Sequence, residues 1–163
     1  MDGALRQAAG GSALRLRLDE LKRLEDAYLS LEGSVREARA LADRADRVEG
    51  DNAEASRLRR DGEERSARYA ASRARARRLL ADRPNADLAE ERAKAREEVA
   101  ALAARLDEAR AYFNRRAAED DKPVADFGII RIGVEGDKKR AAKWRALGED
   151  AAALKRRVED VSP

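Results

Sequence analysis

The sequence predicts a mainly α protein, with long antiparallel helices in a coiled coil or elongated helical bundle. One short β element, at about 124–134, is expected before a C-terminal amphipathic helix. Three observations carry this reading. Charged residues make up 42% of the 163 residues and aromatics only 4%, so bulk for a broad globular core is scarce. Ala, Leu, Glu, Arg and Lys dominate, which is the composition of long helices. Apolar residues recur at alternating spacings of three and four, the period of a helix that packs on another helix. High charge with few aromatics also describes unfolded chains. Only three prolines and the lack of Gly-Ser tracts favour helix over disorder.

Residues 1–11 are small and Gly-containing and read as a flexible lead ending at Gly10-Gly11, with Ser12 as the N-cap of the first long helix. The region 12–120 reads as the helical bundle. In its first helix Leu14, Leu21, Leu24, Tyr28, Leu31, Val35, Ala38, Ala42 and Ala45 keep a heptad seam broken only by Arg17. Gly50 suits a left-handed helix stop, and Asp51 with Glu54 reads as a capping box. Asp61-Gly62 carries a similar signature, and one unbroken helix from Ser12 to Leu80, about 100 Å long, is a third option. A turn at 50–52 is preferred because it makes the flanking helices similar in length.

From Ala53 to Ala81 the chain is helical by propensity but its seam is poor, with Leu58, Tyr69, Ala76, Leu79 and Leu80 as anchors. Pro84 and Asn85 break it near 83–86, and Asp87 with Glu90 caps the next helix. There Leu88, Ala95, Val99, Leu102, Leu106, Ala109 and Phe113 keep heptad phase, with Arg92 the exception. The segment 121–137 holds Phe127-Gly128-Ile129-Ile130-Arg131-Ile132-Gly133-Val134, whose alternation of apolar residues reads as a short strand or hairpin. Asp137 then caps a last amphipathic helix over 138–161, seamed by Trp144, Leu147, Ala151, Leu154, Val158 and Val161.

The chain contains neither His nor Cys. It therefore lacks an imidazole base, a thiolate nucleophile, and nitrogen or sulfur ligands for zinc. No phosphate loop or dinucleotide fingerprint is present. The expectation is a non-enzymatic protein with no catalytic residue, cofactor or metal. Thirty-six basic residues nearly cancel 33 acidic ones, leaving +3, a balance that suits helix faces laced with ion pairs. No apolar window approaches the ~18 residues of a membrane span, and no secretory signal is read at Met1-Asp2-Gly3-Ala4. A cytoplasmic protein, or part of a large intracellular or viral assembly, is expected.

Two surfaces stand out as candidates for binding. The first is the strand-like element: a lone strand cannot satisfy its own backbone, so it seeks a partner strand. Phe127, Ile129, Ile130, Ile132 and Val134 are the expected contacts, with Trp144 and Leu147 behind them. For Trp144, burial as a core anchor is the competing reading. The second surface lies between Arg57 and Arg83, where ten arginines stand against four acidic residues. Arg73, Arg75, Arg77 and Arg78 are its densest part and could follow a nucleic-acid backbone. Against that, the same arginines could pair with Glu90, Glu91, Glu97 and Glu98 on a neighbouring helix.

Long helices flanking a short β element resemble prefoldin-type helical hairpins, and the helix-only portion is similar to the coiled-coil stalk proteins of flagellar and type III export. Heptads are shared by unrelated proteins, so neither likeness assigns a family. The sequence points to a structural or assembly protein, a scaffold or adaptor that binds a protein partner or a second copy of itself. Nucleic-acid binding through the Arg-rich helix is the alternative.

Overall fold

The computed structural model describes residues 2–122 and 132–163, with side chains at 10–122 and 138–163. Four helices follow one another: α1 (Asp2–Val48), α2 (Ala53–Asp82), α3 (Ala89–Asp121) and α4 (Ile132–Glu159). No strand occurs among the described residues.

Ion pairs between helices show how they are ordered. Arg59 meets Asp43 and Arg73 meets Glu32, both at 2.7 Å, so α2 runs antiparallel to α1. Arg75–Glu91 at 3.0 Å and Arg105–Asp61 at 2.6 Å set α3 antiparallel to α2. Arg140–Asp120 at 2.9 Å and Lys155–Asp107 at 3.5 Å do the same for α4 on α3. The pairs Arg44–Asp150 and Arg157–Glu37 close the ring between α4 and α1. The result is an up-down-up-down helical bundle.

Most of the seams read from the sequence form its interior, with Leu14, at 43% exposed, the exception on α1. Leu24, Tyr28, Leu31 and Val35 of α1 are buried, as are Leu58, Tyr69 and Ala76 of α2. From α3 come Leu102, Leu106 and Phe113, and from α4 Trp144, Leu147, Leu154 and Val158. Phe113 stacks on Trp144 at 5.9 Å, and Tyr112 meets the same indole edge-on at 6.2 Å. Small residues let helices approach closely: a Cβ on Gly62 would lie 3.1 Å from Val35 Cγ1.

Four local expectations change. The chain does not wait for Ser12: α1 starts at Asp2 and runs through Gly10-Gly11. Ala, Leu, Arg and Gln at 4–9 are strong helix formers, and extending an existing helix across a glycine costs only ~1 kcal/mol. The break between α1 and α2 falls at 49–52, but Asp51, not Gly50, takes the left-handed conformation, at φ 54°. A short polar side chain tolerates that region. The N-cap accordingly moves to Asn52, whose Oδ1 accepts from Ala55 N–H at 3.0 Å. Its Nδ2 donates to Tyr112 Oη at 2.8 Å, tying the cap to α3. At the next break Leu88 is the N-cap residue, and Asp87 Oδ1 accepts from Ala89 N–H at 2.9 Å.

The fourth change concerns the expected β element. Ile132, Gly133 and Val134 form the first turn of α4, and Asp137 lies inside that helix instead of capping it. Period-two alternation over so few residues does not separate a strand from a helix. A helix satisfies its backbone within the segment, whereas a strand here would need a neighbour. The rest of that element, 124–131, lies outside the described residues.

Candidate interaction surface

Of the residues expected to meet a partner, Phe127, Ile129 and Ile130 lie outside the described residues, and Ile132 and Val134 are placed only as helix backbone. Trp144 and Leu147 are 0% and 1% exposed. Both sit in the core, on the same face of α4 as Leu154 and Val158, so neither offers a surface to another molecule. Burial of an indole in an aromatic cluster is the stronger use of the chain's one tryptophan.

The Arg-rich helix is α2, and several of its arginines reach acidic residues on the neighbouring helices. Arg73 pairs with Glu32, Arg75 with Glu91, and Arg77 with Glu25. Arg65 and Arg68 share Glu98, at 3.7 and 3.2 Å. Of the four residues marked for nucleic acid, Arg78 alone has no ion pair among the described residues. Glu91 and Glu98 were anticipated as acceptors; Glu25 and Glu32 were not, because the sequence does not show that α2 lies between α1 and α3.

The ionic contacts and the burial around them shift several titrations. Burial pushes the Glu91 carboxyl up, but the Arg75 hydrogen bond and charge, with Lys94, outweigh it and hold the group below its ordinary range. Burial works against the Arg105 charge, yet hydrogen bonds to Asp61 and Glu54 raise its pKa further. Burial drives Tyr69 up to about 12 and raises Tyr28. The buried phenols therefore stay protonated near neutrality and supply no base. No grouping of three or more acidic side chains suited to a metal occurs among the described residues.

A surface still open to a partner lies at the other end of α1. Because α2 stops at Asp82, before Pro84, it runs out alongside α1 near residue 20. Among the described side chains of α1, Leu24 is the first that is fully buried, and residues 10–16 are all exposed. The described side chains from Gly10 to Asp19 thus form an arm of roughly 15 Å at 1.5 Å per residue, which meets the loop before α3 through Arg17 and Asp87 at 4.0 Å. Leu14, Leu16 and Leu18 on it are 43%, 62% and 52% exposed, and Leu29 further along is 48% exposed. These four are the exposed large apolar side chains among the described residues, and all belong to one helix.

Further along α1 lies a groove of about 550 Å³ between this helix and the end of α4. Ala27, Ser30, Gly33 and Ser34 form its α1 wall, with Asp160 and Val161 opposite. Nothing larger than serine stands on that wall between Asp26 and Glu37. The sequence did not single out this surface. Its signal was present, since Leu16 and Leu18 fall off the Leu14–Ala45 seam, as does the Ser30-Gly33-Ser34 spacing.

No family model matches the chain, and neither a curated protein nor a solved structure does. No described helix is long and apolar enough to cross a membrane. Function therefore has to be read from the surface itself.

Proposed function

We propose that the protein is a non-enzymatic assembly element, a scaffold or adaptor whose four-helix body presents the α1 arm for docking. One observation carries this: among the described residues, the exposed leucines all belong to α1, three of them on the arm between Gly10 and Asp19. Single exposed apolar residues are ordinary on protein surfaces. Leu14 and Leu18, one turn apart on one face of a helix, are the pattern of a helix that lies against another surface, and Leu16 stands on the opposite face. The body is suited to hold such an arm in one orientation, because the arm continues a helix that the core anchors from Leu24 onward. Ion pairing of Arg73, Arg75 and Arg77 within the chain weakens the nucleic-acid alternative, since a phosphate would have to displace three carboxylates.

The test is a full-length variant carrying Leu14→Glu, Leu16→Glu and Leu18→Glu. It should keep the wild-type helix content and melting temperature, because none of the three side chains is in the core. It should lose whatever association the wild type shows, whether with itself in sedimentation or with a protein co-purified from its source cells. If both forms associate to the same extent, the arm is not the docking element and the reading fails.

A further inference from the structure

We propose that the occupant of the groove is the arm of a second copy, in a two-fold dimer where two α1 helices pack antiparallel. This rests on the reading of the arm as a docking element and names its partner. Position supports it first. Arm and groove lie on the same helix, so one antiparallel packing seats both arms in both grooves at once. An interface of that kind is isologous and closed, and it leaves no surplus surface to build a filament.

Complementarity along one row of the helix supports it next. Leu16, Arg23, Ser30 and Glu37 are spaced by seven residues and share a face of α1. Reversing the row about Arg23 sets Leu16, the most exposed of the four leucines, over Ser30 of the partner subunit. The neighbours there are Ala27, Gly33 and Ser34, so a leucine knob meets a hole walled by small side chains. There is space at Gly33: a Cβ built on it would meet only the tip of Arg36, at 3.8 Å.

Charge points the same way. Arg23, Asp19 and Asp26 are exposed, and none has an ion pair among the described residues. Arg23 lies at the axis of the proposed dimer. Asp19 and Asp26 of the partner subunit then flank it on either side, so two arginines are balanced by four carboxylates. Like-charge contact at the axis is offset by these neighbours, and antiparallel order is favoured over parallel.

The purified full-length chain, followed by sedimentation equilibrium, provides the test. The wild type should form dimers at micromolar concentrations, and Leu16→Glu should weaken them by at least ~10-fold. Gly33→Leu should do the same by filling the hole. It should also leave the fold at least as stable, because leucine is the better helix former and Gly33 faces open space within the chain. That pairing of a gain in melting temperature with a loss of dimer separates the interface from misfolding. The chain has no cysteine, so the double variant Leu16→Cys, Ser30→Cys is a clean reporter. Oxidation should yield a covalent dimer, whereas Leu29→Cys with Ser30→Cys should not.

A wild type that stays monomeric at about 100 µM, or a dimer indifferent to both Leu16→Glu and Gly33→Leu, overturns the proposal. A monomeric chain whose arm still captures another protein, and loses it in the triple-glutamate variant, overturns self-docking while leaving the assembly reading standing. If the triple-glutamate variant changes neither, both fall.

Discussion

The α3–α4 seam and the α2–α3 seam join helices of similar length, yet they hold together by different physics. Between α3 and α4 the contact is apolar and close, with Phe113 stacked on Trp144 and Leu102, Leu106, Leu147 and Leu154 buried around them. Between α2 and α3 the contact is largely ionic: Arg65 and Arg68 on Glu98, Arg75 on Glu91, and Arg105 on Glu54 and Asp61. Long side chains that bridge two helices keep their axes further apart than alanines and leucines do. The difference shows where the bundle stores its stability and where it is only kept in register.

Trp144→Ala should have the largest effect of any single change. The indole is fully buried among Tyr112 and Phe113, and truncating a buried aromatic costs about 3–5 kcal/mol. Chemical denaturation should show a loss of that size with little change in slope. A loss under about 1 kcal/mol would mean that the α3–α4 seam is not the stable half.

Arg105→Ala comes next. Arg105 and Glu54 are 7% and 4% exposed, 2.7 Å apart, and deleting Arg105 leaves the buried Glu54 with only the longer contact to Arg57, at 3.7 Å. The cost should be about 3 kcal/mol. The double change Arg105→Met, Glu54→Leu should recover most of it, because a buried pair is worth little more than apolar residues of similar size. A double variant as unstable as the single one would show that the seam needs the charges themselves, and not merely the volume they fill.

A smaller effect of opposite sign is expected at Gly148 on α4. A Cβ there would crowd Asn114 Oδ1, but Asn114 is exposed and its amide can turn into solvent. Gly148→Ala should therefore stabilise by up to about 1 kcal/mol through helix propensity. Gly62→Ala meets Val35, which is 2% exposed and β-branched, and should gain less. If the two glycines respond alike, helix spacing and not side-chain freedom governs both.

The core was legible in the sequence because a three–four period reports which face of a helix can bury apolar surface. Leu24 to Ala45 and Trp144 to Val158 were placed by that period alone. The same period placed Leu14 in the seam, and there it failed. Whether a face is covered depends on the length of its neighbours, and α2 ends at Asp82, well short of the start of α1. Pro84 recorded that stop, but only the antiparallel pairing of α1 with α2 converts it into an uncovered arm. The left-handed Asp51 illustrates a second limit. Gly50 and Asp51 both tolerate that conformation, and the choice was made by Asn52, whose cap hydrogen bond and contact with Tyr112 fix the turn one residue later. Trp144 was read both as anchor and as contact. Its position in the α4 seam, between Ala141 and Leu147, favours the anchor once α3 is known to lie against it.

The smallest expected effect tests the ionic seam through pH. Arg75 holds the Glu91 carboxyl below its ordinary value of 4.5 in the folded protein. A group depressed in this way adds stability that is fully present above 4.5, where the unfolded chain would also be ionised. The contribution fades as pH falls through the folded value, because protonation breaks the contact with Arg75. Arg75 is 46% exposed on its side chain, so solvent screens the pair and the loss should be no more than about 1 kcal/mol. Glu91→Gln should lower stability at neutral pH by that amount and flatten the stability profile below 4.5. Trp144→Ala should leave the slope of the profile unchanged, since no titrating group is removed. An equal slope in wild type and Glu91→Gln would assign acid sensitivity to another carboxylate, with Asp46 next in line, since the Arg59 hydrogen bond and Asn52 N–H also depress it.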